Sequence, residues 1–133
     1  LGIEVRIACP KGYEPDASII KKAREIYKND DLLKITNDPN AAAKGSNVLY
    51  TDVWSSMGEE NQKKEKDINF HGFTIDSDLV RVADKDVIIL HCLPAYRNKE
   101  ITDAAMESEN SRIFQQAENR LHVQQGLLAC LLS

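Results

Sequence analysis

The apolar positions fall into short runs separated by capped, polar-faced segments, and the period switches between two and 3.6 along the chain. "KDVIILHCLP" at residues 85–94 is the plainest run, and its unbroken apolar stretch predicts a strand buried on both faces. "IEVRIAC" (3–9) alternates, turns apolar and stops at Pro10, which also predicts a strand. "LLKIT" (32–36) and "NVLYTDV" (47–53) are two further strands. Between the strands the spacing is helical. After the turn "PKGYEPD", Asp16 or Ser18 can cap a helix from Ser18 to about Asn29, with Ile19, Ile20, Ala23 and Ile26 inward and lysines outward. "NDPNAAAKGS" predicts a short capped helix ending at Gly45. "NQKKEKDINFHGF" is polar and reads as helix plus loop, while "TIDSDLVRVA" reads as a capped helix with Leu79, Val80 and Val82 inward. A capped helix is expected at Thr102–Met106. "AENRLHVQQGLLACLL" closes the chain as a long helix with Leu121, Leu128 and Leu131 or Leu132 on one side.

Strands that alternate with helices imply βαβ units, and hence an α/β domain whose parallel sheet carries helices on both faces. No internal repeat, low-complexity tract or linker divides residues 1–133, and a chain of 133 residues supports one core. Ligands of such sheets bind beyond the carboxyl ends of the strands. Asp52 and the His91–Cys92 pair stand where two strands run out, so a single crevice can hold them.

Composition narrows the function classes. At 42% hydrophobic and 29% charged the chain is an ordinary globular one, and no apolar run reaches the roughly 20 residues of a membrane span. A net charge of −4 argues against nucleic acid or an anionic membrane as partner, and the lysines of "QKKEK" are flanked by acids as on a solvated face. The start has no secretion signal and no initiator Met, and a strand follows almost at once, which points to a fragment. Cys9, Cys92 and Cys130 are odd in number and widely spaced, with neither a zinc nor a disulfide pattern, so a reducing cytoplasm and no metal are expected.

Three stretches carry candidate chemistry. In "TDVWSSMG", Asp52 can pair with an amine, Ser55 and Ser56 offer hydroxyls, and Met57 and Gly58 offer backbone N–H groups, together enough to hold both ends of a zwitterion. The plainer reading is that Asp52 caps the next helix and Met57 fills the core. In "HCLPA", Cys92 is a nucleophile only with a base or positive field beside it. His91 is adjacent, but strand neighbours point to opposite faces, which predicts no dyad. A small buried hydrophobe fits Cys92 better. A third reading is stronger still: the Cys92 and Leu93 carbonyls, at a strand end before Pro94, have no obligatory partner and can accept from a ligand amide. In "AENRLH", Arg120 is either a solvated charge or reaches the crevice to polarise a carbonyl or pair a phosphate. Glu118 either complements the helix N-terminus or holds Arg120. His71 and His122 have no metal-like company and read as structural or surface residues.

In order, "KGYEPDAS", "TNDP", "TDVWSSMGEE", "HCLPAYR" and "FQQAENRLH" resemble the signature blocks of the ornithine carbamoyltransferases, over essentially the whole chain. The resemblance is to the C-terminal, ornithine-binding domain, a three-layer α/β/α Rossmann-like fold with a mainly parallel sheet, here without its first strand and helix. It implies transfer of a carbamoyl group from carbamoyl phosphate to the δ-amino group of L-ornithine, giving citrulline and phosphate in arginine metabolism without a cofactor or covalent intermediate. By the same resemblance, Asp52 binds the ornithine amino group with Ser56 assisting, and the Met57 backbone meets the carboxylate on a closing loop. Cys92 and Leu93 lie against the carbamoyl moiety through their carbonyls, and the Leu93–Pro94 bond is cis. Arg120 polarises the carbamoyl oxygen, so Cys92 and Arg120 are the catalytic candidates. A cytoplasmic homotrimer with sites at subunit boundaries is implied as well.

The chain also departs from the family. Its Ser-Thr-Arg-Thr phosphate loop, His-Pro-x-x motif and "GDGNN" strand end are absent, so these residues alone are expected to be inactive. Aspartate-type relatives carry "HPLP" in place of "HCLP", and putrescine-type relatives lack the "SMG" loop. An N-acetylornithine carbamoyltransferase and a non-catalytic module that binds a basic amino acid stay open as alternatives.

Overall fold

A computed structural model describes residues 2–27, 32–55, 58, 61 and 63–133. Four strands form two parallel ladders, β1 (Val5–Ala8) with β2 (Leu33–Thr36) and β3 (Val48–Thr51) with β4 (Ile88–His91). Among the described residues six helices intervene or follow: α1 (Ala17–Tyr27), α2 (Pro39–Ala43), α3 (Lys63–Asn69), α4 (Ser77–Val82), α5 (Asp103–Met106) and α6 (Ile113–Leu132). The expected parallel α/β architecture is therefore present. In the second ladder Thr51 lies beside His91, so Asp52 and Cys92 leave neighbouring strands at the same level.

Local sequence sets the helix starts. Asp38 accepts from the N–H groups of Asn40 at 2.9 Å and Ala41 at 3.2 Å, with Pro39 in the first turn of α2 where its missing N–H costs nothing. Asp76 caps α4 through Leu79 N–H at 2.8 Å, and Thr102 caps α5 through Ala105 N–H at 3.3 Å. Asp16, rather than Ser18, serves α1, accepting from Ser18 N–H at 2.8 Å. Gly45 ends the turn after α2 at φ 66, a left-handed conformation that glycine adopts without a Cβ penalty.

The core gathers Leu49 and Ile89 from the second ladder and Val87 just before β4 with Ile75, Ile101, Ala105, Met106, Ile113 and Ala43. Burying an Ile or Leu side chain fully contributes about 1.5–3 kcal/mol relative to leaving it exposed. Ile89, Ile101 and Ile113 are fully buried and anchor the cluster. The segment before α6 runs alongside β4: Ile89 N–H donates to Asn110 and Arg112 N–H donates to Ile89, both at 2.9 Å. Helix α6 consequently starts beside β4, and its Gln116 reaches both His91 and Tyr50.

Several expectations are corrected. Strand β4 is not equally buried on both faces: Val87, Ile89 and His91 face the core, while Ile88 and Leu90 are half-buried beside α6. On α1, Ile19 and Ile26 are exposed, and no residue of the helix is buried. Val82 is exposed as well, because α4 ends there and only Leu79 and Val80 pack on the core. Helix α6 begins at Ile113 rather than Ala117, and Leu121, Leu128, Leu131 and Leu132 are all exposed. The facing edges of β1 and β3 are not paired among the described residues and border a cleft of about 140 Å³ lined by Arg6, Ala8 and Val48–Thr51. Across it, Arg6 Nη1 donates to the carbonyls of Ala42 at 3.3 Å and Lys44 at 2.6 Å, tying β1 to the end of α2.

Candidate functional site

The ends of β3 and β4 bring Asp52 and Cys92 together, as the strand register requires. Asp52, His91 and Cys92 each place a donor atom within 4.8 Å of the others. The two come near one another, yet both His91 ring nitrogens are engaged by Leu93 N–H and Glu100, so the expectation that the pair forms no dyad holds. Strand β4 ends at His91, so the alternation that separates neighbours no longer governs Cys92. Proximity does not make a nucleophile, however. Burial pushes the Cys92 thiol above its ordinary value, and Asp52, accepting from the thiol and adding its negative charge, pushes it further. The Tyr50 hydroxyl opposes this only in part. Cys92 is held as a thiol, which favours a role through its backbone.

Asp52 is exposed, and its Oδ1 accepts from Val53 N–H at 2.7 Å. The next described helix, α3, starts only at Lys63, so Asp52 does not cap it. Its carboxylate serves the strand end and leaves lone pairs for a cation. Behind it, Trp54 stacks on Phe70 with ring centroids 5.8 Å apart, and Phe70 meets Tyr13 edge-on at 5.0 Å. That cluster anchors the loop. Ser55 Oγ is buried without a hydrogen-bond partner among the described residues. Ser56 and Met57 lie outside the described residues.

Just past β4, Leu93 stands at φ 55 and the Leu93–Pro94 bond is cis, as the sequence resemblance implies. His91 is wholly buried and both ring nitrogens are engaged: Nδ1 accepts from Leu93 N–H at 2.9 Å, and Nε2 lies 3.2 Å from Glu100 Oε1. A metal held by Asp52, His91 and Cys92 would have to displace one of these bonds and take the proton from a thiol whose surroundings resist losing it. The donor set does not fit a resident cation.

Arg120 lies two turns into α6, exposed, on an open groove of about 570 Å³ shared with Ile88, Leu90, Gln116 and Val123. No described contact brings it to Asp52 or Cys92. One turn earlier, Gln116 bridges the strands: its Oε1 accepts from His91 N–H and its Nε2 donates to the Tyr50 hydroxyl, both at 3.0 Å. Arg120 follows Gln116 by four residues and so projects from the same helix face. Glu118 serves neither expected role; its carboxylate lies 3.7 Å from His122 Nε2.

Sequence reasoning missed Tyr50, Gln116 and Glu100. Tyr50 was reachable, since it precedes Asp52 by two at the end of β3. Gln116 was reachable from the spacing to Arg120. Nothing in "NKEIT" marks Glu100 as buried.

Against known proteins, the sequence model described as aspartate/ornithine carbamoyltransferase, Asp/Orn binding domain, matches residues 1–131. An ornithine carbamoyltransferase of Prochlorococcus marinus subsp. pastoris is 74% identical over 132 residues, which are 99% of this chain and 43% of that protein. One from Nostoc punctiforme is 50% identical over 132 residues, with the same two shares. The crystal structure of an anabolic ornithine carbamoyltransferase from Campylobacter jejuni superposes with a TM-score of 0.89 at 41% identity, covering 98% of this chain and 43% of that one. A mutant N-acetyl-L-ornithine transcarbamylase complexed with PALAO gives 0.80 at 30% identity, covering 97% and 40%. The chain thus spans 43% of the length of the first curated relatives it matches.

Proposed function

The chain belongs to the aspartate/ornithine carbamoyltransferase family, and on that footing we propose that residues 1–133 form much of the ornithine-binding domain of an enzyme that carbamoylates the δ-amino group of L-ornithine. Carbamoyl phosphate is the donor, and citrulline and phosphate are the products. The observation that carries the reading is the β3–β4 register, which sets the Asp52 carboxylate beside the Cys92–Leu93 turn. An amino acid gripped by Asp52 thereby lies next to backbone carbonyls able to accept from a carbamoyl amide.

In this reading Asp52 binds the ornithine ammonium, with Ser56 assisting and the Met57 N–H meeting the carboxylate. The uncharged δ-amine attacks the carbamoyl carbon, charge builds on the carbamoyl oxygen, and Arg120 stabilises it. A group aimed at such an oxygen contributes about 10²–10³ in rate. Cys92 and Leu93 orient the carbamoyl group through their carbonyls, and the raised thiol of Cys92 supports a route without covalent capture. The reaction needs no cofactor. The phosphate-binding half is absent from these residues, so they are inactive alone; the complete enzyme is a cytoplasmic homotrimer of arginine metabolism. Among the described residues no helix is long and apolar enough to cross a membrane.

A citrulline assay on the complete protein, with ornithine, N-acetylornithine and putrescine side by side, tests the proposal. Turnover of ornithine far above the other two supports it. Preference for either rival, or no carbamoylation of any, sinks it. The N-acetylated amine is included because a structural neighbour carries that substrate in its name.

A further inference from the structure

We infer that Glu100 is a positioning residue for the Cys92 carbonyl, acting through the His91 ring; this rests on the carbamoyl-transfer reading and deepens it. His91 and Glu100 are both 0% exposed, the buried polar side chains of an otherwise apolar core among the described residues. A buried carboxyl costs free energy unless it is hydrogen-bonded, and Glu100 Oε2 has no partner among the described residues. A leucine would avoid that cost. Oε1, by contrast, is used twice: it accepts from Tyr96 N–H at 2.5 Å and faces His91 Nε2 at 3.2 Å. Across the ring, Nδ1 accepts from Leu93 N–H at 2.9 Å. An imidazole nitrogen that accepts carries no proton, so the ring proton sits on Nε2 and is donated to Glu100. The backbone of Glu100 is pinned in turn. Its carbonyl accepts from Ile75 N–H at 2.9 Å, and Thr102 N–H returns to the Ile75 carbonyl at 3.0 Å.

The effect reaches the site through one peptide plane. Leu93 N–H and Cys92 C=O belong to the same planar unit, and in a trans unit they point in opposite directions. The cis bond is the next one along, Leu93–Pro94. Nδ1 draws the N–H toward the buried ring, so the Cys92 carbonyl is turned out of the core. Without an acceptor at Nε2 the ring is free to place its proton on Nδ1, where it meets Leu93 N–H donor to donor, and the peptide rotates. Glu100 selects the tautomer, the tautomer holds the peptide, and the peptide aims the carbonyl.

The first test needs no activity. A two-bond ¹H–¹⁵N spectrum of the 133-residue chain reads which nitrogen of His91 is protonated. Nε2 protonated in the parent chain, and mixed tautomers in Glu100→Leu, is the expected result. A proton on Nδ1 of the parent chain overturns the inference, whether or not Glu100→Leu folds; so does an unchanged tautomer in a folded Glu100→Leu chain. The second test uses the complete protein. Glu100→Leu lowers kcat for citrulline about 10- to 100-fold with ornithine KM within about twofold, and Glu100→Gln, which keeps an acceptor at Oε1, recovers most of the rate. A kcat within about twofold of the parent, or an ornithine KM that rises as far as kcat falls, overturns it. If the parent makes no citrulline, the functional reading falls, and the tautomer alone decides whether Glu100 sets the Cys92 peptide.

Discussion

Replacing Asp52 by Asn separates binding from chemistry with little disturbance of shape. The amide keeps an Oδ1 that can still accept from Val53 N–H, so the strand end is preserved. What disappears is the negative charge offered to the ornithine ammonium. A hydrogen bond to a charged group contributes about 1.5–3 kcal/mol net, or about 10- to 150-fold in affinity. Asp52 is exposed, and water screens an exposed pair, so the low end applies: ornithine KM rises about tenfold in the complete protein. The KM for carbamoyl phosphate stays within about twofold, because Asp52 faces the amino acid alone in this scheme. The same change has a second readout within the 133-residue chain. Asp52 accepts from the Cys92 thiol and its charge disfavours the thiolate, so the Asn variant lets that thiol ionise more readily. Cys92 is then alkylated faster at mildly alkaline pH, though still more slowly than a free thiol, because burial remains the larger cause. Steady-state kinetics with each substrate varied, and mass-resolved alkylation of Cys92, provide the two assays. Equal loss of affinity for both substrates would refute the assignment of Asp52 to the amino acid, and an unchanged alkylation rate would refute its contact with the thiol.

Three further outcomes are expected. Arg120→Ala in the complete protein lowers kcat about 10²–10³-fold with ornithine KM little changed; turnover near the parental rate would leave Arg120 a surface charge. Ile89→Ala opens a cavity in the centre of the core, since Ile89 is fully buried, and costs about 2–5 kcal/mol by urea denaturation, against a few tenths or less for Ile19→Ala on the open face of α1. Glu4 has its pKa lowered to about 2, chiefly by the Arg6 hydrogen bond and then by that of Lys34. A lowered carboxyl pKa stabilises the fold above the unfolded value and is lost as pH falls through the folded one, so acidification from 4.5 toward 2 removes this contribution. Glu4→Gln should flatten that limb of the stability curve; an identical limb would show that the exposed pair contributes nothing.

What was legible in the sequence had local causes. Asp38, Asp76 and Thr102 cap helices because an oxygen two or three residues before a free N–H can satisfy it whatever the surroundings. The four strands follow from short apolar runs, and the crevice from their common direction. Asp52 and Cys92 were reachable because residues at parallel strand ends meet when the register aligns them. The absence of a His91–Cys92 dyad was legible too, although β4 stops between the two and the His91 ring turns to Leu93 and Glu100 instead. Glu100, by contrast, was invisible. Its partners Ile75 and His91 stand elsewhere in the chain, and a glutamate in "NKEIT" carries no local sign of them.

The apolar stripes teach a separate lesson. Ile19 and Ile26 on α1 and Leu121, Leu128 and Leu131 on α6 stand at the helical spacing that was read from the sequence, yet all are exposed. The pattern was right and the cover was not found. Periodicity records that one face of a helix differs from the other; it does not say which atoms lie against that face, nor whether they belong to the same 133 residues. The buried cluster makes the contrast. Val87, Ile89 and Ile113 are buried because β4 and the start of α6 are joined by backbone hydrogen bonds between Ile89 and residues 110 and 112. Among the described residues the leucines further along α6 have no such tie, and they stand exposed. The same helix leaves Arg120 exposed on the groove beside Ile88 and Leu90, with no described contact to Asp52 or Cys92, so its role is decided by kinetics and not by its neighbours.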